Sequence, residues 1–269
     1  MPSPTATTHT TTTEEGTRTM STSELTQAAQ RRATAGARKR FIRTLLVAGV
    51  WCLAIFGLYA VIFQVVATLT DAETSVSAFD TTLGATRWAV LGIGAGVTTA
   101  FLTPHIAAGG TRRSFFAGTS AAAVVAGAVW GAGTTVLLAG ERALSTAFGI
   151  PWRRLFGLPV EPDSVAWYVV TAVSEGLVIT TYTLLGIAIG LAYARFGWRG
   201  GTLTLIGLLV PAAIADLGSA TGVFGSALAL QAERGAAVPL GIAGGVVATV
   251  VAAVAYYLLL RDVRLRPPR

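Results

Sequence analysis

Apolar residues along this chain fall into long, nearly unbroken runs, and polar residues collect between them. A helix needs about 20 apolar residues to cross the hydrocarbon core of a bilayer, and the sequence contains six runs of about that length. We predict transmembrane helices at 44–68, 86–103, 115–139, 165–194, 202–219 and 238–260. The predicted fold is therefore an all-α, polytopic membrane protein with a six-helix transmembrane domain over residues 44–260.

The remaining segments are polar and mostly basic. Residues 1–22 are rich in threonine and contain so few apolar side chains that we predict a disordered tail. Residues 23–43 form a basic juxtamembrane segment, with a helix along the membrane surface as one interpretation. Residues 261–269 form a basic tail at the C-terminus.

Composition supports a membrane protein. Of the 269 residues 12% are charged and 53% are hydrophobic, whereas about a quarter of a soluble domain is charged. The net charge of +7 comes from basic residues that flank the apolar runs. We therefore interpret these residues as topology signals and predict the lipid bilayer, with no nucleic acid, as the environment of the chain.

The basic residues also predict an orientation. Cytoplasmic loops carry an excess of arginine and lysine, and 15 of the 20 basic residues lie on one side if both termini do. We therefore predict that both termini are cytoplasmic. All basic residues except Lys39 are arginine, a usage typical of GC-rich bacterial genomes, so the predicted location is a bacterial cytoplasmic membrane.

Two carboxylates fall inside the predicted spans. They are Glu175 in span 4 and Asp216 in span 5, and an ionisable group at this depth is costly unless it faces protein or water. Because consecutive spans are antiparallel, both side chains fit the outer half of one cavity, where Ser174 and Pro211 would line the same polar path. A substrate lining and a protonatable pair are two functional interpretations. The structural alternative has a protonated Glu175 bonded to neighbouring hydroxyls and Asp216 reaching the headgroups.

Motifs for catalysis or metal binding are absent from the sequence. Its single cysteine, Cys52, cannot form an intramolecular disulfide, and no Cys/His metal spacing occurs. There is neither an HExxH motif nor a GxxxxGK[ST] phosphate loop. We therefore predict no catalytic residue, no metal and no cofactor, so the chain is not expected to be an enzyme by itself.

Two short connections carry a family resemblance. The connection between spans 2 and 3 contains GGTRRSFFAG at 109–118, and the one between spans 4 and 5 contains ARFGWRG at 194–200. Both junctions resemble those in the permease subunits of bacterial ABC-2-type exporters. The basic N-terminal segment, the six spans and the missing ATPase motif agree with this resemblance, which covers residues 23–265.

The resemblance implies a partner and a set of docking positions. It implies a separate cytoplasmic ABC ATPase subunit that contacts the two connections through Ile106, Arg112, Arg113, Phe115, Arg195 and Arg199. It also implies a connecting helix at 23–42, short re-entrant helices within 219–236, and pairing as a homodimer or with a related permease. The expected function is export of a hydrophobic or amphipathic drug, peptide or lipid.

Three alternatives stay open at this stage. The arginines of the connections can act purely as topology anchors. The chain can be a stand-alone membrane scaffold or regulatory protein, or a proton-coupled carrier that uses Glu175 and Asp216. The pairs Gly186–Gly190 and Gly241–Gly245 have the spacing that permits close helix approach, which favours either internal packing or dimerisation.

Overall fold

The computed structural model describes residues 22–70, 76–154, 156–162, 164–221 and 237–263. Its helices are α1 (Thr22–Leu69), α2 (Ala78–Ala107), α3 (Arg112–Ala147), α4 (Val165–Ser219) and α5 (Ala237–Arg261). All five are long and apolar enough to cross a membrane. The predicted all-α class is confirmed, whereas the predicted count of six helices is wrong, because the fourth and fifth predicted spans are parts of α4.

Helix α4 folds back on itself at Gly197. The backbone leaves helical geometry at this residue, with φ 68° and ψ −172°. Tyr182 donates its hydroxyl hydrogen to Asp216 Oδ2 at 3.1 Å, although a straight helix would separate the two residues by about 51 Å. α4 is therefore a hairpin whose first arm (165–196) and second arm (198–219) run antiparallel.

A single glycine makes this reversal. A residue without a Cβ adopts positive φ at little cost, so the helical hydrogen bonding resumes immediately after Gly197. The polar residues around it, which predicted a loop of several residues between two helices, belong to the helical arms instead.

The first arm of α4 is the centre of the molecule. Its residues 178–192 are almost all buried, and α4 packs against α2, α3 and α5. A Cβ atom on Gly186 would collide with the carbonyl oxygen of Leu91, and one on Gly190 would lie 2.5 Å from that of Ala95. This glycine pair therefore serves packing of α4 against α2 within one chain.

Helix α1 lies at the periphery, parallel to α3. The two helices contact each other where Gly118 meets the backbone of Thr34 and, further along, where Gly49 meets Trp130. The basic segment 23–43 is the first part of this 48-residue helix, which continues into the first apolar run. The helix at 23–42 that the resemblance implies is thus part of α1.

The helices place the connections at two opposite ends. The Gly197 end holds the turn of α4, the α2–α3 connection, the start of α1 and the end of α5. The Trp152 end holds the N-termini of α2 and α4, the α3–α4 connection and Ser219, where α4 ends. Both described chain ends therefore lie at the Gly197 end. Residues 1–21 of the predicted tail, residues 264–269 of the C-terminal tail, and residues 222–236 of the predicted re-entrant segment 219–236 lie outside the described residues.

Candidate functional site: a buried charge network

Arg87 on α2 sits between the two predicted intramembrane carboxylates. Its Nη2 donates to Glu175 Oε2 at 2.9 Å and its Nη1 donates to Asp216 Oδ1 at 3.1 Å. Since Glu175 lies on the first arm of α4 and Asp216 on the second, one guanidinium group joins α2 to both arms. The reversal at Gly197 is what brings the two carboxylates together.

A second arginine reaches the same site from the α3–α4 connection. Arg154 donates to Asp80 Oδ1 from Nη2 at 2.8 Å and from Nε at 3.1 Å, and to Glu175 Oε1 at 3.4 Å. The other oxygen of Asp80 accepts the backbone N–H of Phe156 at 2.9 Å. We call Asp80, Arg87, Arg154, Glu175 and Asp216 the charge network.

The charge network is sealed from solvent. Arg87, Glu175, Asp80 and Asp216 are each at most 2% exposed, and the side chain of Arg154 is 12% exposed. A buried charge is tolerated only when it is paired and hydrogen-bonded. With all five groups ionised, three carboxylates face two guanidinium groups, and the hydroxyl of Tyr182 gives Asp216 a further donor.

These contacts differ from the structural alternative that the sequence left open. Both oxygens of Glu175 accept hydrogen bonds from guanidinium groups, the partners that suit an ionised carboxylate. Ser174 donates instead to the carbonyl oxygen of Thr171 at 3.1 Å. Asp216 is 1% exposed and accepts hydrogen bonds from Arg87 and Tyr182. Pro211 is buried in the second arm, five residues before Asp216.

The network extends inward from the Trp152 end. Arg87 lies nine residues after the first residue of α2, and Glu175 lies ten residues after that of α4, so both are about 14–15 Å along their helices. This distance corresponds to about half of a 30 Å hydrocarbon core. The network therefore ties together the α3–α4 connection and the parts of α2 and of both arms of α4 that lie toward the Trp152 end.

A further carboxylate fixes the start of α2. Glu141 of α3 accepts the backbone N–H of Ala78 at 2.7 Å and of Phe79 at 3.2 Å, and the hydroxyl of Ser77. Trp152 Nε1 donates to the same carboxylate at 3.3 Å. An anion at a helix N-terminus satisfies unpaired N–H groups and complements the helix dipole. This contact holds Asp80 and Arg87 in register with the α3–α4 connection.

Sequence reasoning identified two acids of the network, Glu175 and Asp216, and missed Asp80 and both arginines. Arg87 lies at the first turn of the predicted span 86–103, and Asp80 and Arg154 lie in the connections between predicted spans, where charged residues are ordinary topology signals. A signal was present, because ionisable residues at bilayer depth commonly pair with one another. Arg87 is the only basic residue within the predicted spans.

The docking positions implied by the resemblance have mixed environments at the Gly197 end. Arg112 donates to the carbonyl oxygens of Arg261 at 2.7 Å and Val263 at 2.6 Å, where α5 ends. Arg195 pairs with Asp262 at 3.1 Å. The structure therefore brings the α2–α3 connection and the turn of α4 together around residues 261–263.

The remaining docking positions divide into buried and exposed side chains. Phe115 is 1% exposed and packs against the ring of His105, with 5.3 Å between centroids, so it cannot present a surface to a partner. Ile106 is half-buried. Arg113 is exposed, and Arg199 is exposed with its guanidinium 5.2 Å from the ring centroid of Trp198.

No known family, no curated protein and no solved structure matches the chain. Within the described residues, no group of three or more His, Cys, Asp or Glu side chains is arranged to hold a metal ion.

Proposed function

We propose that this chain is the non-catalytic membrane subunit of an ATP-driven exporter of the ABC-2 type, working with a separate cytoplasmic ATPase. The observation that carries the proposal is the convergence of the two candidate docking connections at one end of the molecule. Arg112 of one connection and Arg195 of the other both contact the end of α5, at Arg261 and Asp262. A partner subunit at this end would contact both connections at once.

The proposed orientation places the Gly197 end in the cytoplasm of a bacterial cell. The exposed basic side chains of the described helix ends concentrate there: Arg31, Arg32, Arg38, Lys39, Arg40, Arg112, Arg113, Arg195, Arg199 and Arg261. In this orientation α4 crosses the membrane twice and both chain ends are cytoplasmic, as the positive-inside rule favours.

The exposed turn of α4 is the proposed contact for the ATPase. Trp198 is 71% exposed and Phe196 is 46% exposed, with Arg195 and Arg199 beside them. Tryptophan and arginine are the residues that most often dominate binding at protein interfaces. Because the turn is part of α4, a push on Trp198 is transmitted along both arms toward Glu175 and Asp216.

The charge network is the proposed outer gate. It holds α2 against both arms of α4 near the Trp152 end, while the proposed ATPase contact lies at the opposite end. Between Arg87 and the end of α2 at Ala107 lie 20 residues, or about 30 Å of rigid helix. In the proposed cycle, ATP-driven motion at the Gly197 end changes the spacing of these helices and opens the gate.

The proposed substrate is hydrophobic or amphipathic. A groove of about 420 Å³ lies between α1 and α3 near the Trp152 end, lined mostly by apolar side chains such as Val61, Leu137 and Leu144. Gln64, Glu141 and Ser145 are its polar lining residues. A ligand with an apolar body and one polar group fits this surface, and a homodimer or a pairing with a related permease would enclose it.

Docking is tested with a double variant of the exposed turn. The tagged chain is purified from membranes of its own host in mild detergent, and co-purifying ATPase is quantified by mass spectrometry and by vanadate-sensitive ATP hydrolysis. We expect Trp198→Ala/Arg199→Glu to reduce the captured ATPase by about 30-fold, the effect of losing a hot spot of about 2 kcal/mol.

The control for this experiment is Arg32→Glu, which changes an exposed arginine on α1 at the same end. It should leave ATPase capture unchanged. An ATPase that is absent from the wild-type preparation, or captured equally by the turn variant, would contradict the proposal.

A proton-coupled carrier is the second candidate, and one feature of the network favours it. The network has more carboxylates than guanidinium groups, and the buried Arg87 Nε has no hydrogen-bond partner within the described residues. The carrier would transport in liposomes without an ATPase, driven by a proton gradient, and lose this activity in Glu175→Gln. A stand-alone scaffold would transport under neither condition.

A further inference from the structure

A polar cleft opens between α1 and α3 at the Gly197 end. The two parallel helices touch at Gly118, where an added Cβ would lie 2.7 Å from the carbonyl oxygen of Thr34. From this contact toward their N-termini they leave a cavity of about 380 Å³ between them. The lining residues are Gln27, Gln30, Arg31, Thr34, Arg113, Ser114 and Ala117.

Two guanidinium groups share this cleft. Arg31 comes from α1 and Arg113 from α3, and both side chains are exposed. Neither forms an ion pair with a carboxylate in the part of the chain that the structure describes. Their neighbours differ in this respect, since Arg112 is bound to carbonyl groups and Arg195 to Asp262.

The adjacent arginines 112 and 113 therefore have different surroundings. The Arg112 side chain ties the α2–α3 connection to the end of α5, and that of Arg113 faces α1 across the cleft. Two like charges around one cavity repel each other unless an anion lies between them. The N-terminal end of α3 adds a favourable dipole for negative charge.

We propose that this cleft binds a phosphate group held between Arg31 and Arg113. A guanidinium group offers a planar fork of N–H donors that matches phosphate oxygens, and the amides of Gln27 and Gln30 lie beside the two arginines. The volume accommodates a phosphate with its substituents. The site lies apart from the turn at Trp198, and its test uses the purified chain without an ATPase.

Two sources supply this chemistry. The apolar run of α3 begins at Phe115, two residues after Arg113, which puts the cleft within reach of an anionic phospholipid headgroup. The opening of the cleft toward the polar start of α1 also admits a soluble phosphate compound. The experiment has one arm for each source.

The test measures thermal unfolding of the purified full chain in detergent at constant ionic strength. The three probes are a short-chain phosphatidylglycerol, the matching phosphate-free diacylglycerol and inorganic phosphate. The cleft variant is Arg31→Gln/Arg113→Gln. The matched control, Arg32→Gln/Arg38→Gln, removes the same charge from exposed positions of α1 that do not line the cleft.

We expect a phosphate-bearing probe to raise the midpoint temperature of unfolding of the wild type and of the control variant. In the cleft variant, the same rise in midpoint should require at least a tenfold higher concentration of the probe. Stabilisation by phosphatidylglycerol but not diacylglycerol or inorganic phosphate identifies a lipid headgroup, and stabilisation by inorganic phosphate identifies a soluble ligand. The two exposed substitutions break no described contact, so without a probe the variant should unfold as wild type does. Equal responses of cleft and control variants, or no response of wild type, would overturn the proposal.

Discussion

Arg87→Met is expected to destabilise the fold by about 3–5 kcal/mol, because it removes the shared cation of a buried ion pair. The substitution leaves Glu175 and Asp216, each at most 2% exposed, without the guanidinium group that joins them. Methionine is similar in length to arginine, so packing changes little. The loss of stability therefore reports the removal of the charge. The measurement is the midpoint of unfolding by heat or by increasing denaturing detergent.

Two variants control for the loss of the side chain. The triple variant Arg87→Met/Glu175→Gln/Asp216→Asn removes the uncompensated charges and should recover most of the stability. Arg154→Met should cost less, because Arg154 is 12% exposed and Asp80 keeps the N–H of Phe156. Wild-type stability in Arg87→Met, or no recovery in the triple variant, would mean that the charge network does not hold the helices together.

Gly186→Val is expected to destabilise the packing of α2 against α4 by about 3 kcal/mol, the upper part of the usual range for overpacking. Its Cβ would collide with the carbonyl oxygen of Leu91 and lie within 3.0 Å of the Leu91 Cα. These are backbone atoms, which cannot move aside as a flexible side chain does. Separation of α2 from α4 would also stretch the contact between Arg87 and Glu175.

Gly92→Val is the matched control on the facing helix. A Cβ at Gly92 meets no atom within 4 Å. This substitution should therefore shift the unfolding midpoint no more than an ordinary surface substitution does. Equal unfolding midpoints for Gly186→Val and Gly92→Val would mean that α2 does not approach the first arm of α4 this closely.

Apolar runs were sufficient to predict the class of fold. Each predicted span lies within a helix, because a segment of about 20 apolar residues has few alternatives in lipid. The same pattern could not show that the residues around Gly197 stay helical. Whether a glycine between two runs starts a loop or makes a one-residue reversal depends on contacts across the hairpin, such as that of Tyr193 with Thr202 at 3.1 Å.

The candidate site was predictable in part. Glu175 and Asp216 stand out because ionisable residues are rare at that depth. Arg87 and Arg154 did not, because a basic residue near a span end is also the ordinary topology signal. Their roles follow from tertiary contacts: Arg87 faces inward on α2, and Arg154 is held over Asp80 by a connection that Glu141 and Trp152 fix in place.

The docking residues show the same limit at the Gly197 end. The motif GGTRRSFFAG contains two adjacent arginines and two adjacent phenylalanines. The sequence pattern alone does not show which member of each pair is buried or which contacts it makes. Helical geometry separates them, because neighbouring residues point about 100° apart. Arg112 reaches the end of α5 and Arg113 reaches the cleft with α1, while Phe115 is buried.

The proposed double crossing of the membrane by α4 underlies both candidate functions. It is tested most directly by labelling single cysteines in intact cells with a membrane-impermeant maleimide. In a Cys52→Ser background, which removes the sole native cysteine, the exposed positions Ala108, Trp198 and Phe148 are replaced one at a time. We expect Phe148→Cys to be labelled from outside and Ala108→Cys and Trp198→Cys to be labelled only after the cells are opened. Labelling of Trp198→Cys on the same side as Phe148→Cys would contradict the double crossing.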